Sequence, residues 1–311
     1  LLELFKKKNK AVLGIDISSN SIKLLELSRS GSQYKVERYA TRPLPEGAVV
    51  EKNISNLEAV GEEMEKLVSL AAPNTSRAAV AVSGSSVITK IIELSAGLSD
   101  NEMENQIVVE ADQYIPYPLE EVAIDFERQR PSRKYQGMVP VLLAACKKEN
   151  VDNRVEVLDT GGLEAQFVDI EAYAMERAFG LLCEQMGLDR QGVVAILDLG
   201  ATITTVYILK DGESIYTRDQ VLGGARLSVA VQSHYGLSPA EAEKAMVNGD
   251  LPESYQREVL APFQEDLAEQ LSRSLQFFFS SSQYNDVDLI VLAGGVATTP
   301  GLAEILTETL A

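Results

Sequence analysis

Histidine occurs once in this chain, at His234, and cysteine twice, at Cys146 and Cys183. A lone histidine leaves no basis for a histidine-rich metal site or a histidine-based catalytic triad. The two cysteines are far apart and in no metal or redox spacing, which fits a reducing compartment and two small core residues. Basic residues are scarce: 28 Lys and Arg stand against 46 Asp and Glu, a formal charge of −18. A nucleic-acid partner needs a positive footprint, so that class is set aside. No apolar run reaches the length of a membrane span, and no signal peptide is visible. At 311 residues, 45% hydrophobic and 24% charged, the chain has room for two domains with substantial cores.

What is present is a pattern written twice, 182 residues apart. The first copy is Ile15-Asp16-Ile17-Ser18-Ser19-Asn20-Ser21-Ile22-Lys23-Leu24, the second Leu197-Asp198-Leu199-Gly200-Ala201-Thr202-Ile203-Thr204-Thr205-Val206. Each reads as an apolar strand ending near an aspartate, a turn of small and hydroxyl residues, and a second strand. Such a turn lets N–H groups and hydroxyls approach an anion, and the aspartate suits Mg²⁺, held mainly through water. Two of them would grip a polyphosphate from both sides. One alone is equally an ordinary hairpin.

Strands are expected over 11–17, 22–28, 33–41, 78–82, 87–94, 122–128, 139–146, 165–170, 193–197, 214–220 and 287–293. Helices are expected over 56–70, from Ser99-Asp100 onward, and over 151–158, 172–186, 225–235, 239–247, 253–281 and from Pro300-Gly301. Strands and helices alternate in both halves, the mark of an α/β protein. The stretch 86–161 reads as a separate small insert. Within it Ile115-Pro116-Tyr117-Pro118 puts apolar residues on a break, for packing or for docking. Phe277-Phe278-Phe279 reads as a packing face. The N-terminal Leu1-Leu2-Glu3-Leu4-Phe5-Lys6-Lys7-Lys8-Asn9-Lys10 is either a weak contact with an anionic membrane surface or a solvated or docked tail. Opening on Leu1 rather than methionine, it is expected to be trimmed.

A third segment, Leu289-Ile290-Val291-Leu292-Ala293-Gly294-Gly295-Val296-Ala297, runs a strand into paired glycines where backbone can come close to a flat ligand. With the two hairpins, it resembles the phosphate 1, phosphate 2 and adenosine motifs of the actin/Hsp70/hexokinase-like ATPases. Val12–Leu27, Glu110–Pro118, Leu143–Val151 and Ser272–Phe279 look, more specifically, like the PilM family of the type IV pilus, relatives of the cell-division protein FtsA.

The resemblance implies an actin-like (ribonuclease H-like) two-lobed ATPase fold with an FtsA-like small α+β insert domain. The implied layout is a first lobe over 1–85 and 162–191, the insert over 86–161, a second lobe over 192–222 and 287–311, and a helical subdomain over 223–286. It implies ATP and Mg²⁺ as cofactors. Asp16 and Asp198 would hold the metal shell. Ser18, Ser19, Asn20, Ser21 and Lys23 would line one side of the phosphates, and Gly200, Ala201, Thr202 and Thr204 the other. Gly223 and Gly224 would form a further phosphate-side turn, Glu243 would contact the ribose, and Gly294, Gly295 and Ala297 would flank the adenosine. Relatives often carry a lysine three residues after that glutamate; here Met246 stands there. The first loop reads Asp-Ile-Ser-Ser where many relatives have Asp-Ile-Gly. Glu171 would place water for hydrolysis, or simply favour a helix N-terminus, so at most a slow ATPase is expected.

Partners implied by the family are the cytoplasmic N-terminal peptide of PilN, received between insert and lobe, other pilus assembly proteins, and self-association. The family is cytoplasmic and peripheral at the bacterial inner membrane, and its members continue past the helix on which this chain ends. Two other functions remain in view: a small-molecule kinase of the same superfamily, and a nucleotide-free structural adaptor.

Overall fold

The computed structural model describes residues 11–31, 33–129 and 137–310. The basic N-terminal segment and the membrane contact considered for it lie outside the described residues. The chain divides into two compact units, Leu1–Glu171 and Ala172–Ala311.

The first unit holds a five-stranded sheet. Its strands are β1 (Leu13–Ile17), β2 (Ser21–Ser30), β3 (Gln33–Pro43), β6 (Arg77–Val82) and β10 (Glu164–Ile170), in the order β10-β6-β1-β2-β3. β1, β2 and β3 run antiparallel, whereas β6 and β10 lie parallel to β1 and to each other. Alternation in β1 and β2 puts Leu13, Ile15, Ile17, Ile22 and Leu24 on one buried face. Helix α1 (Leu57–Ala71) meets that face with Val60, Met64, Leu67 and Ala71, and Asn56 caps it by accepting from the Ala59 N–H. Full burial of Val60, Met64 and Leu67 stabilises the fold by roughly 1.5–3 kcal/mol each. Helix α3 (Lys148–Thr160) adds Val157 and Leu158 to the same core.

Between β6 and α3 the chain forms a separate three-stranded sheet from β7 (Val87–Ser95), β8 (Val122–Arg128) and β9 (Met138–Lys147), with β9 in the middle. Helix α2 (Asp100–Ala111) covers one face with Met103, Ile107 and Ala111. Ile115 is buried in this core, so the apolar residue at the Pro116 break serves packing; Tyr117 is exposed, with the Lys147 ammonium 5.0 Å from its ring centre. A minimal hairpin of β4 (Val49–Val50) and β5 (Asn53–Ile54) has no counterpart among the expected strands. Two-residue strands carry no periodicity to detect.

The second unit repeats the first architecture. Here β11 (Val193–Leu199), β12 (Thr204–Lys210) and β13 (Glu213–Gln220) are antiparallel, and β14 (Leu289–Ala293) lies parallel to β11, giving the order β13-β12-β11-β14. Helix α4 (Glu171–Met186) leads into it. Helices α7 (Ala261–Ser281) and α8 (Leu302–Leu310) bury Leu267, Leu271, Leu275, Phe278, Leu302 and Leu306 with β11. The long helix expected from 253 starts with a π-helical stretch, Gln256–Leu260, before its α-helical run. Of the phenylalanine run, Phe278 is in the core beside Tyr216, Phe279 and Tyr284, but Phe277 is exposed beneath Arg218. Helices α5 (Ala225–Tyr235) and α6 (Pro239–Asn248) form a small cluster of their own around Val231, Ala242 and Val259. Cys146 and Cys183 are free and buried, and no helix among the described residues is long and apolar enough to cross a membrane.

Candidate functional site

The two aspartate hairpins are the same structure built twice. Asp16 pairs in register with Lys23 and Asp198 with Thr205, one step before each turn. Each turn closes with the same bond: the Ser18 N–H donates to the Ser21 carbonyl at 2.9 Å, and the Gly200 N–H to the Ile203 carbonyl at 3.1 Å. Each lies at the carboxyl ends of its sheet's parallel strands, where open α/β sheets bind ligands.

In the first unit, Asp16 is half exposed and held by two side chains. The Lys23 ammonium donates to its Oδ2 at 2.6 Å, the Ser18 hydroxyl does so at 2.6 Å, and Lys23 also reaches the Ser18 Oγ at 3.1 Å. Ser19 and Asn20 form the tip of the turn, and the Asn20 carbonyl accepts from the Leu44 N–H. Glu171 follows β10 at this same sheet end. Its carboxylate takes the Lys52 ammonium at 2.7 Å, with both side chains largely buried. Nothing in the sequence singles out Lys52. It sits in the β4–β5 turn, where Glu51 and Lys52 both have left-handed backbone, φ 47° and 63°. Two non-glycine residues in that conformation cost roughly 1–2 kcal/mol each unless side chains or neighbours hold them.

In the second unit three segments converge. Gly223 lies so close to the turn after Asp198 that a Cβ there would stand 2.5 Å from the Gly200 and Ala201 carbonyl oxygens. The Gly224 and Ala225 N–H groups donate to those same carbonyls, at 3.1 and 2.8 Å, fastening the start of α5 to the turn. Gly294, at φ +84°, would place a Cβ against the Leu199 carbonyl and 2.7 Å from the Asp198 Oδ1. Gly295 faces open space, with nothing within 4 Å of the position a methyl would take. Ala297 packs against the core beneath. Asp198, Gly200, Ala201, Thr202, Gly223, Gly224, Gly294 and Gly295 are thus brought to one sheet end. Thr204 is fully buried instead, and its hydroxyl donates to the Leu222 carbonyl at 2.8 Å, fixing the approach to Gly223. Glu243 is exposed on α6, and Met246 packs into the small helical cluster.

Among the described residues no three His, Cys, Asp or Glu side chains gather as a metal cage. Mg²⁺ does not require one, since it keeps most of its water and takes one or two carboxylates. Asp198, in a cradle that a single Cβ at Gly294 would fill, fits that role, as does Asp16 beside Lys23.

A family model described as "Type IV pilus assembly protein PilM" matches residues 14–311. The chain is similar to a solved structure described as "PilM-PilN type IV pilus biogenesis complex", at 28% identity and TM-score 0.75, covering 96% of this chain and 85% of that one. It shares its fold with the ethanolamine utilization protein EutJ from Carboxydothermus hydrogenoformans, at 18% identity and TM-score 0.58 over 96% of this chain and 82% of that one. EutJ of Escherichia coli K12 is 28% identical over 154 residues, 50% of this chain and 48% of that protein, so the chain spans about half the length of that curated relative. The fold is the actin-like α/β class that the sequence pointed to.

Proposed function

The chain belongs to the PilM family of type IV pilus assembly proteins, and from that premise we propose that it is a nucleotide-binding scaffold. In this reading it binds Mg-ATP and docks the cytoplasmic N-terminal peptide of a PilN-type membrane protein, on the cytoplasmic face of a bacterial inner membrane. The observation that carries the nucleotide part is the duplicated hairpin, with Gly223 and Gly294 packed onto the turn after Asp198. The partner is supported by the likeness to a PilM–PilN complex. The six-segment layout of lobes, insert and helical subdomain belongs to the same proposal.

Asp16 and Asp198 would hold Mg²⁺ through water; the ion supplies charge neutralisation for the phosphate oxygens. Lys23, already fixed by Asp16 and Ser18, would meet a phosphate as a positive point charge. The Ser18 and Ser19 hydroxyls, with Asn20 and Ser21, would line one side. The Gly200, Ala201 and Thr202 backbone would line the other, where glycine at 223 lets α5 approach the turn. Gly294, Gly295 and Ala297 would flank the base and Glu243 the ribose, while Thr204 supports the turn from beneath. Glu171 would be the residue that orients water for hydrolysis, and its pairing with Lys52 fits slow turnover at most.

Calorimetric titration of a PilN N-terminal peptide, with and without Mg-ATP, tests both halves. Peptide binding that changes with Mg-ATP is expected. Equal affinity in the two conditions leaves a static adaptor, and no binding in either removes the partner.

A further inference from the structure

Arg154, on α3, is only 2% exposed, yet its guanidinium fork is directed at backbone rather than at a carboxylate. Three carbonyls receive it: Nε donates to Ala81 at 2.7 Å, Nη1 to Asn150 at 2.9 Å and Nη2 to Lys52 at 2.9 Å. A buried cation is an expensive way to fill space, since an apolar side chain of similar volume does it as well or better. The identity of the three carbonyls gives the reason. Ala81 lies at the end of β6, where the chain leaves for the three-stranded sheet. Asn150 lies at the start of α3, where it returns directly from β9. Both connections of the inserted sheet therefore end on one guanidinium.

The third carbonyl belongs to the strained turn. Lys52 is held in left-handed backbone, and its ammonium reaches the Glu171 carboxylate. Burial pushes the Arg154 guanidinium down from its ordinary value, and the nearby Glu171 charge opposes that shift. A lysine at 154 could not reproduce this, because a compact ammonium cannot serve three carbonyls in a planar fork.

We propose that Arg154 is a positioning residue that links the hinge of the inserted sheet to Glu171, through the Glu51–Lys52 turn. A partner that shifts the insert moves the turn, and the turn moves the carboxylate. That the carboxylate then matters to nucleotide rests on the function proposed above. By linkage, nucleotide and insert-bound partner alter each other's affinity by one common factor.

The test is hydrogen exchange on the full chain without ligands, in wild type, Arg154→Lys, Lys52→Gly and the double variant. Arg154→Lys is expected to raise exchange about tenfold, the loss of one net hydrogen bond to a charged donor, in both the 49–54 hairpin and the first hydrogen-bonded amides of α4. The strands β7 and β9 keep wild-type protection. Lys52→Gly suits the left-handed turn, so the hairpin still forms, while loss of the ammonium loosens the Glu171 carboxylate and raises exchange at the start of α4. Adding Arg154→Lys to it produces no further rise there. A wild-type α4 start in Lys52→Gly, or one in Arg154→Lys despite a loosened hairpin, overturns the link. So does a further rise at α4 in the double variant.

A second arm measures the ratio of peptide affinities with and without Mg-ATP. Arg154→Lys should bring that ratio to one while leaving each separate binding event intact; a ratio unchanged by the variant overturns the link's role. A wild-type ratio of one alongside the expected exchange pattern supports the mechanical link and rejects the nucleotide switch instead.

Discussion

At the scale of single residues, three glycines in one small region have different physical jobs. Gly223 and Gly294 exist for space: a methyl at either would strike backbone carbonyls, which cannot rotate away. Gly295 has room for a side chain. Gly223→Ala is therefore expected to destabilise the protein by about 2–3 kcal/mol, as overpacking does. Gly295→Ala should leave the unfolding midpoint within the scatter of surface changes and lower only the affinity for Mg-ATP. Denaturant unfolding beside nucleotide titration separates the two; a stable Gly295→Ala with unaltered nucleotide affinity would place the base elsewhere. The same scale decides one expectation about packing and corrects another. Ile115 fills the core of the inserted sheet, and Phe277 lies exposed under Arg218 while Phe278 takes the interior position. An aromatic run does not say which of its members faces inward until the helix phase is set by its neighbours.

At the scale of elements, helix starts are the most legible features. α2 and α6 both open with complete capping boxes, Ser99 with Glu102 and Ser238 with Glu241. The Ser238 hydroxyl, and then its N–H, hold the Glu241 carboxyl below its ordinary value, and Ser99 does the same for Glu102. A carboxyl depressed in the folded state stabilises above its unfolded pKa, and that contribution fades as pH falls through the lower folded value. Protection of the first turn of α6 should thus be complete above about pH 5 and decline below about 4.3. Glu241→Gln keeps the cap but should flatten this dependence, read by hydrogen exchange; an unchanged pH dependence would assign it to another group. The β4–β5 hairpin shows the opposite case. Glu51 and Lys52 are not the residues that left-handed turns ordinarily select, so nothing local announces the turn. Arg154, one hundred and two positions away, holds it.

At the scale of the whole molecule, two units carry separate cores and each presents one aspartate hairpin. With a net charge of −18, local groups rather than the global field must attract a nucleotide. Ligand bound only to the folded state stabilises by about 2.7 kcal/mol at a hundredfold excess over Kd. Asp16→Asn combined with Asp198→Asn should abolish that gain, measured against the same variant's unfolding without nucleotide; Asp16→Asn alone should leave that baseline near wild type, because the Asp16–Lys23 pair is exposed and such pairs contribute little. Thermal unfolding with and without Mg-ATP decides it. A double variant still stabilised in full would remove both aspartates from the metal's shell.

The duplicated hairpin, the paired glycines after β14 and the alternation of strands with helices are local patterns. Each was readable because its spacing, two residues along a strand or three to four along a helix, is set by backbone geometry alone. The sequence by itself therefore determined the α/β class, most elements and the residues at the sheet ends. Tertiary structure decided what spacing cannot encode. It put Gly223 and Gly294 against one turn, buried the Thr204 hydroxyl under Leu222, and set Met246 in a helical cluster. It also joined Arg154, Lys52 and Glu171 into one chain of contacts across the sequence. Contacts between segments far apart depend on how whole sheets and helices pack, and no short window of residues carries that information.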